Sequence, residues 1–342
     1  MIDIRSLQMH ELEAILEEYG EPKYRATQVY DWIHKKLCDD ISEMTNISKS
    51  LQSRLACEYF LTKLVPIKKQ ASKIDGTIKY LFGLEDGNAI ESVLMEYHHG
   101  ISVCISSEVG CAMSCSFCAS TIGGLVRRLT TSEMLSQIYT IQKLEARRVS
   151  NVVVMGTGEP LDNLEELVKF IKILSSEVGL NISQRNITVS TCGLVPEIYK
   201  LADEKLQINL ALSLHAADDA TRQTIMPIAK KYKLNEVMRA CKEYNIKTGR
   251  RVTYEYNLIK GVNDTFEDAK KLISLIKETH GLVNIIPMNP VSERDYSRPD
   301  KVTIRSFAKW LDEGGINVTI RRELGADIDG ACGQLRYKYN KR

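Results

Sequence analysis

Three cysteines stand close together in the run Gly110-Cys111-Ala112-Met113-Ser114-Cys115-Ser116-Phe117-Cys118. Three thiolates so near one another can converge on one metal centre. The count of ligands matters as much as the spacing. A closed structural zinc site takes four ligands, and this loop offers no fourth Cys or His. Zinc would therefore need a ligand from elsewhere in the chain. An iron–sulfur cube held by three cysteines instead keeps one iron open, and an open iron can bind a substrate. Phe117 ahead of the last cysteine favours the cube.

Other candidate residues are scattered. Cys332 lies in Asp329-Gly330-Ala331-Cys332-Gly333, where the glycines predict an accessible loop thiol. A reactive thiol needs exposure and a depressed pKa, and only the first is legible here. Cys104 sits in an apolar run and is either reactive or merely buried. Glu91 stands in Ala89-Ile90-Glu91-Ser92-Val93-Leu94-Met95, as an outward strand position or a functional carboxylate. Gly156-Thr157-Gly158-Glu159-Pro160 reads as a turn and helix start. Its glycines also let backbone approach a ligand closely, and Glu159 can accept a hydrogen bond from an ammonium group.

Elements must bring these residues together. The chain has 342 residues, 44% hydrophobic and 26% charged. That is ordinary for a globular protein of one large domain, or one large and one small. A net charge of +2 gives no global basic field, so a polyanion would meet local patches. The first residues do not resemble a signal peptide, and no apolar run reaches the ~18 residues of a membrane span. A cytoplasmic protein without membrane contact is expected. There, nine cysteines point to metal or catalysis more than to bridges. Cys38, Cys57 and Cys241 are expected to be plain buried or half-buried thiols.

Leu12, Ile15, Leu16 and Tyr19, then Val29, Trp32 and Ile33, recur at helical spacing. Gly20-Glu21-Pro22 separates the two stretches. Residues 1–65 thus read as a small helical domain, and residues 66–98 as a connecting β segment with Asp75-Gly76 and Asp86-Gly87 as turns. From residue 99 to 342 the pattern is regular. Apolar runs at 103–105, 152–155, 187–189, 208–214, 252–259, 283–287 and 316–320 alternate mostly with amphipathic helical stretches, including 161–174 and 266–279. Thr130-Thr131-Ser132-Glu133 is a capping-box start. This alternation predicts an α/β fold with a parallel sheet, a partial or full (β/α) barrel. Barrel chemistry sits at the C-terminal ends of strands. The cysteine triplet, Glu159, Ser190, Ser213, His215, Asn289 and Cys332 all follow or end strands, so one mouth would collect them.

The triplet after a first barrel strand, joined to the Gly156-to-Pro160 turn, resembles the radical S-adenosylmethionine (SAM) superfamily. Further motifs narrow the resemblance: Phe117-Cys118-Ala119-Ser120-Thr121, Ser213-Leu214-His215-Ala216, Met226-Pro227-Ile228, Gly261-Val262-Asn263-Asp264 and the stretch from Asp327 to Leu335. Together they resemble the RlmN/Cfr family of RNA adenosine methyltransferases over nearly the whole chain. Gly158-Glu159-Pro160 and Pro287-Met288-Asn289-Pro290 look more like the RlmN branch, which methylates adenine C2, than the Cfr branch, which methylates C8. Thr157 stands where many relatives carry Met.

The resemblance implies a radical SAM partial barrel with an N-terminal accessory RNA-binding domain. It implies a [4Fe–4S] cluster on Cys111, Cys115 and Cys118, and two SAM molecules per turnover. Gly158, Glu159, Ser190, Ser213, Leu214, His215 and Asn289 match SAM-contacting positions. Cys332 would carry the methyl group as S-methylcysteine, and the 5′-deoxyadenosyl radical would abstract hydrogen from it. Cys104 would release product through a transient Cys104–Cys332 disulfide, and Glu91 matches a proton acceptor. The implied partners are 23S ribosomal RNA at the peptidyl-transferase centre, a tRNA anticodon loop and a flavodoxin-type electron donor, with the protein a monomer. Arg127-Arg128, Arg147-Arg148, Lys230-Lys231-Tyr232-Lys233, Arg250-Arg251, Arg321-Arg322 and the tail from residue 336 are the basic clusters available for RNA. Each could equally be a solvated face.

Overall fold

The helical spacing near the N-terminus buries one face of each helix. In a computed structural model, β1 (Ile2–Asp3) leads to α1 (Met9–Glu18), α2 (Tyr24–His34), α3 (Lys49–Glu58) and β2 (Tyr59–Phe60). Leu12 and Leu16 of α1 are buried with Ala26, Val29, Tyr30 and Ile33 of α2. Each large aliphatic side chain so removed from water contributes ~1.5–3 kcal/mol. The structure describes residues 1–328 other than His280 and Ser292, together with Leu335, Arg336 and Tyr339. Cys332 lies outside the described residues.

An antiparallel run follows: β3 (Val65–Ala71), β4 (Ile78–Gly83), β5 (Ala89–Tyr97) and β6 (Gly100–Ile105). A short hairpin, β7 (Glu108–Gly110) with β8 (Leu125–Arg128), brackets the cysteine loop. Then come α4 (Thr131–Glu145), β9 (Val149–Val154), α5 (Leu164–Leu174), β10 (Ile187–Thr191), α6 (Val195–Asp203) and β11 (Asn209–Ser213). The chain continues through α7 (Asp219–Ile225), α8 (Leu234–Thr248), β12 (Val252–Leu258), α9 (Phe266–Ile276), β13 (Leu282–Pro287), α10 (Lys301–Glu313) and β14 (Asn317–Ile320).

One sheet of ten strands runs β14, β13, β12, β11, β10, β9, β6, β5, β4, β3. From β6 to β14 every pairing is parallel. From β3 to β6 every pairing is antiparallel. The parallel part is the partial barrel that the alternation of apolar runs and helices predicts, and its strands fall on those runs. Residues 65–97 continue the same sheet, because β5 pairs with β6. The capping box at α4 forms in both directions: Glu133 N donates to Thr130 Oγ1 at 3.2 Å and Thr130 N to Glu133 Oε2 at 2.9 Å. Residues 160–163 make a tight 3-10 turn before α5 begins, since Pro160 fixes its own φ and starts that turn. Among the described residues no helix is long and apolar enough to cross a membrane.

Buried polar side chains fasten the N-terminal helices to α4. The Arg5 guanidinium donates to Thr62 O and Ser136 Oγ, both at 2.6 Å, and to Cys38 O at 3.0 Å. It also lies over the Tyr139 ring. His34 Nδ1 hydrogen-bonds the Tyr139 hydroxyl at 2.8 Å. Burial holds the His34 pKa well below the ordinary imidazole value, and the charge of Arg5 adds to the effect. A folded-state pKa below the unfolded ~6.5 means His34 contributes its full stability above that pH, and loses it as the pH falls. The melting temperature followed by circular dichroism is therefore expected to drop from pH 6.5 toward 5, and to drop less in His34→Gln. Equal slopes in the two proteins would contradict this account.

Candidate active site

Beyond β6 the chain turns through β7, makes the cysteine loop and returns in β8. Cys111 and Cys115 are buried and Cys118 is half-buried. Main-chain bonds shape the loop. Cys111 N donates to Gly124 O at 3.1 Å, Cys118 N to Cys115 O at 3.2 Å, and Ser116 N to Ile225 O at 2.9 Å. Thr121 Oγ1 donates to Cys118 O at 2.9 Å, and Arg294 Nη2 donates to Thr121 Oγ1 at 3.0 Å. Gly110 has φ +84°, and a Cβ there would sit 1.9 Å from Gly124 O. Only glycine fits immediately before Cys111. Burial pushes the Cys111 thiol up to about 12 and raises Cys115 as well. These thiols stay protonated until a cation draws the proton off.

The turn of residues 156–160 is strapped to the chain leaving β6. Gly156 N donates to Ile105 O at 3.0 Å, and Thr157 O accepts from Ser107 N and Glu108 N at 3.0 and 3.2 Å. Thr157 N donates to Ser106 Oγ at 3.1 Å, and Glu159 N to Glu108 Oε2 at 2.9 Å. Gly158 has φ +115°, and a Cβ on it would meet Glu108 Cβ at 2.7 Å. The buried Glu159 carboxylate accepts from Leu161 N at 3.1 Å and Cys192 N at 2.7 Å, which leaves lone pairs on both oxygens for a further donor. Burial raises the Glu159 pKa and pushes Glu108 up to about 8.

A cavity of about 430 Å³ opens inside the barrel, within the range of small-molecule sites. Its lining includes Cys104, Cys118, Gly156, Ser190, Ser213, His215 and Asn289. Seven residues singled out in the sequence thus line one cavity. Ser190 Oγ donates to Val154 O at 3.0 Å. Leu214 is buried and offers main chain: its N donates to Glu255 O at 3.0 Å. His215 stands at φ +58°, unusual for a non-glycine. Its Nδ1 accepts from Asn257 N at 3.0 Å. The ring is neutral, because burial drops its pKa to about 3, so Nε2 carries the proton. Phe117 meets the ring edge-on at 5.0 Å. Gly158, Glu159, Cys111, Cys115 and Glu91 are not among the residues that line it.

Glu91 does not face outward. It is buried in β5, pairs with the fully buried Lys79 at 2.9 Å, and accepts from Arg336 N at 2.5 Å. The C-terminal segment reaches this strand through Leu335, packed on Leu81 and Ala89. Cys57 is exposed, not buried. Of the basic clusters, Arg127 is bound to Asp86 and Glu133, Arg128 to Asp162, and Arg147 to Glu96. Arg321 and Arg322 border the cavity.

Sequence reasoning passed over three residues. Asn263 Nδ2 donates to His215 O and Asn257 O, both at 2.7 Å, and fixes the His215 turn. Asn257 lines the cavity with its Oδ1 buried and unpartnered. Arg222 is wholly buried beneath the cysteine loop. Asn263 sat inside a quoted motif, which was the available signal. Arg222 gave none, since an arginine on a short polar helix reads as solvated.

The donor set fits an iron–sulfur cube. Cys111, Cys115 and Cys118 stand on one loop, two of them buried and one half-buried. A cube places each cysteine on its own iron at a separate corner. The unpartnered buried atoms Ser107 Oγ, Glu108 Oε1, Asn257 Oδ1 and Arg222 Nη1 supply polar contacts for further groups nearby.

Comparison with known proteins agrees. Residues 2–60 match the family described as "Ribosomal RNA large subunit methyltransferase N-terminal domain", and residues 105–275 match the radical SAM superfamily. A protein of Lachnospira eligens named "Probable dual-specificity RNA methyltransferase RlmN" is 58% identical over 99% of this chain and 97% of its own. A protein of the same name from Lachnoclostridium phytofermentans is 57% identical over 99% and 95%. The crystal structure of a radical SAM methyltransferase from Sphaerobacter thermophilus superposes with a TM-score of 0.92, at 42% identity over 98% of this chain and 99% of that one. The chain belongs to the RlmN family of RNA methyltransferases, in the radical SAM superfamily, and is an enzyme whose cofactors are a [4Fe–4S] cluster and SAM.

Proposed function

We propose that this enzyme methylates C2 of an adenosine in 23S ribosomal RNA at the peptidyl-transferase centre and of an adenosine in a tRNA anticodon loop. The observation that carries the reading is the meeting of Cys104, Cys118 and the strand-end residues Ser190, Ser213, His215 and Asn289 around one cavity. The names of the relatives, dual-specificity RNA methyltransferases, support two RNA substrates. An aromatic adenine carbon is too weak a nucleophile to take a methyl group from SAM by simple displacement. When bound, the cluster supplies the electron that cleaves SAM to a 5′-deoxyadenosyl radical.

The chain's own residues do the rest. Cys111, Cys115 and Cys118 hold the cluster. Gly158, Glu159, Ser190, Ser213, Leu214, His215 and Asn289 seat SAM. Glu159 has carboxylate lone pairs for the SAM ammonium, and the neutral His215 offers a donor at Nε2. Cys332 accepts a methyl group from a first SAM, leaving S-adenosylhomocysteine. That carbon, after loss of one hydrogen, bonds to adenine. Glu91 takes the displaced C2 proton, and the one surplus electron of the adduct returns to the cluster that supplied it. Cys104, which borders the cavity, attacks Cys332 sulfur as a thiolate. The sulfur–methylene bond breaks with its electron pair going to carbon, a proton returns to that carbon, and methylated RNA leaves behind a Cys104–Cys332 disulfide. Arg321 and Arg322 at the cavity rim suit phosphate contact with an RNA whose target base is splayed out. The N-terminal helices of residues 1–65 add RNA contact. A flavodoxin-type protein donates the electron, and the enzyme works as a cytoplasmic monomer.

Two experiments test this. Cys332→Ala is expected to abolish RNA methylation while iron content and SAM binding persist, and Cys104→Ala to accumulate a protein–RNA adduct visible on denaturing gels. Normal methylation by both variants would sink the mechanism. Mass mapping of nucleosides from treated 23S RNA and tRNA is expected to find 2-methyladenosine, and 8-methyladenosine alone would overturn the site of transfer.

A further inference from the structure

Arg222 has no role in the reaction outlined above, yet it is among the largest fully buried side chains of the described residues. Its donors meet only main-chain carbonyls at the ends of two strands. Nε reaches Leu214 O at 3.1 Å, and Nη2 reaches Cys192 O at 2.7 Å and Ser213 O at 3.4 Å. Nη1 is buried with no hydrogen-bond partner. Among the described residues no carboxylate forms an ion pair with it. Asp219 is near enough for its charge to act on Arg222, but its Oδ1 accepts from Leu234 N at 2.9 Å, and the buried Glu159 is bonded to Leu161 N and Cys192 N. A guanidinium taken out of water without an anion is strongly unfavourable. Such a group calls for a directly bonded negative partner, and among the described residues none supplies one.

The cysteine loop is the place where that partner would sit. Cys115 lies close enough to Arg222 for each to feel the other's charge. The helix that carries Arg222, α7, also holds the loop: Ile225 O accepts Ser116 N at 2.9 Å and Ser116 Oγ at 3.3 Å. Ser116 directly follows Cys115. Three thiolates make an iron–sulfur cube net negative, and each added electron makes it more so. In a low-dielectric interior a fixed cation beside it favours the reduced state.

We infer that Arg222 is a positioning residue for the cluster, whose buried guanidinium balances the charge of the thiolate-bound cube and makes its one-electron reduction easier. The inference rests on the assignment of Cys111, Cys115 and Cys118 as the ligands. It predicts a change in the cluster itself, apart from any change in turnover.

The test uses the full-length protein, reconstituted anaerobically with iron and sulfide. Iron and sulfide are counted, and the midpoint potential is read by electron paramagnetic resonance during titration with dithionite. Arg222→Met is expected to hold a full cluster whose reduction equilibrium is at least tenfold less favourable, about 59 mV for a one-electron couple. Arg222→Lys, which keeps the charge, is expected to stay near the wild-type potential. A wild-type midpoint in fully loaded Arg222→Met would overturn the inference. Should Arg222→Met fail to load, Arg222→Lys decides alone, and a tenfold loss there would equally overturn it. Cys115→Ala separates the two assignments: a full cluster in that variant would refute the ligand set, whatever Arg222 does.

Discussion

The carbonyl of Thr157 accepts hydrogen bonds from both Ser107 N and Glu108 N. Around it Gly156 N, Thr157 N and Glu159 N each find a partner on residues 105–108. This clamp joins the turn after β9 to the chain that leads into the cysteines. The rest of the mouth depends on it. It works only because Gly156 and Gly158 lack a Cβ, which would strike the opposing chain in each case. The Glu159 turn and the cysteine loop therefore move as one body. If, as proposed, the Glu159 turn and the cysteine loop both act on SAM, they are held at a fixed separation before it arrives, which is the preorganisation that positioning catalysis needs.

A second set of buried polar contacts holds the surroundings. Arg5 and His34 fasten the N-terminal helices to α4 through Ser136 and Tyr139. On the far flank, Lys79 and Glu91 form a buried pair in the antiparallel extension, and Glu91 also caps Arg336 N. Asp327 ties the late chain to the same region through Ser72 Oγ at 2.6 Å and Lys73 N at 2.8 Å. The antiparallel strands thus bring Glu91 and Cys104 beside the parallel barrel and receive the C-terminal chain. Buried ionic groups of this kind add little net stability. Their value here lies in fixing which surfaces meet.

Much of this was legible in the residues. The seven apolar runs became the seven parallel strands, because a strand buried on both faces reads as a continuous apolar stretch. The capping box at Thr130 formed as its spacing demands. The cysteine triplet, Ser190, Ser213, His215 and Asn289 could be gathered at one mouth because barrel topology puts strand ends there. Less legible was the continuity of residues 65–97 with the barrel, since short alternating strands do not announce which edge they join. Glu91 read either as an outward strand position or as a functional carboxylate; its burial was not legible, because its partner Lys79 lies on the neighbouring strand and pairing between strands leaves no local mark. Arg222 was invisible for the same reason: its burial comes from strand ends and a loop distant in sequence.

The central claim is that the carbon reaching the RNA passes through a protein sulfur and loses a hydrogen on the way. The most direct measurement supplies SAM with a fully deuterated methyl group to anaerobically reconstituted enzyme and RNA, then weighs the methyladenosine and the 5′-deoxyadenosine by mass spectrometry. The account predicts a product methyl carrying two deuterons and one deuteron in 5′-deoxyadenosine. A product that keeps all three deuterons, with none in 5′-deoxyadenosine, would contradict it.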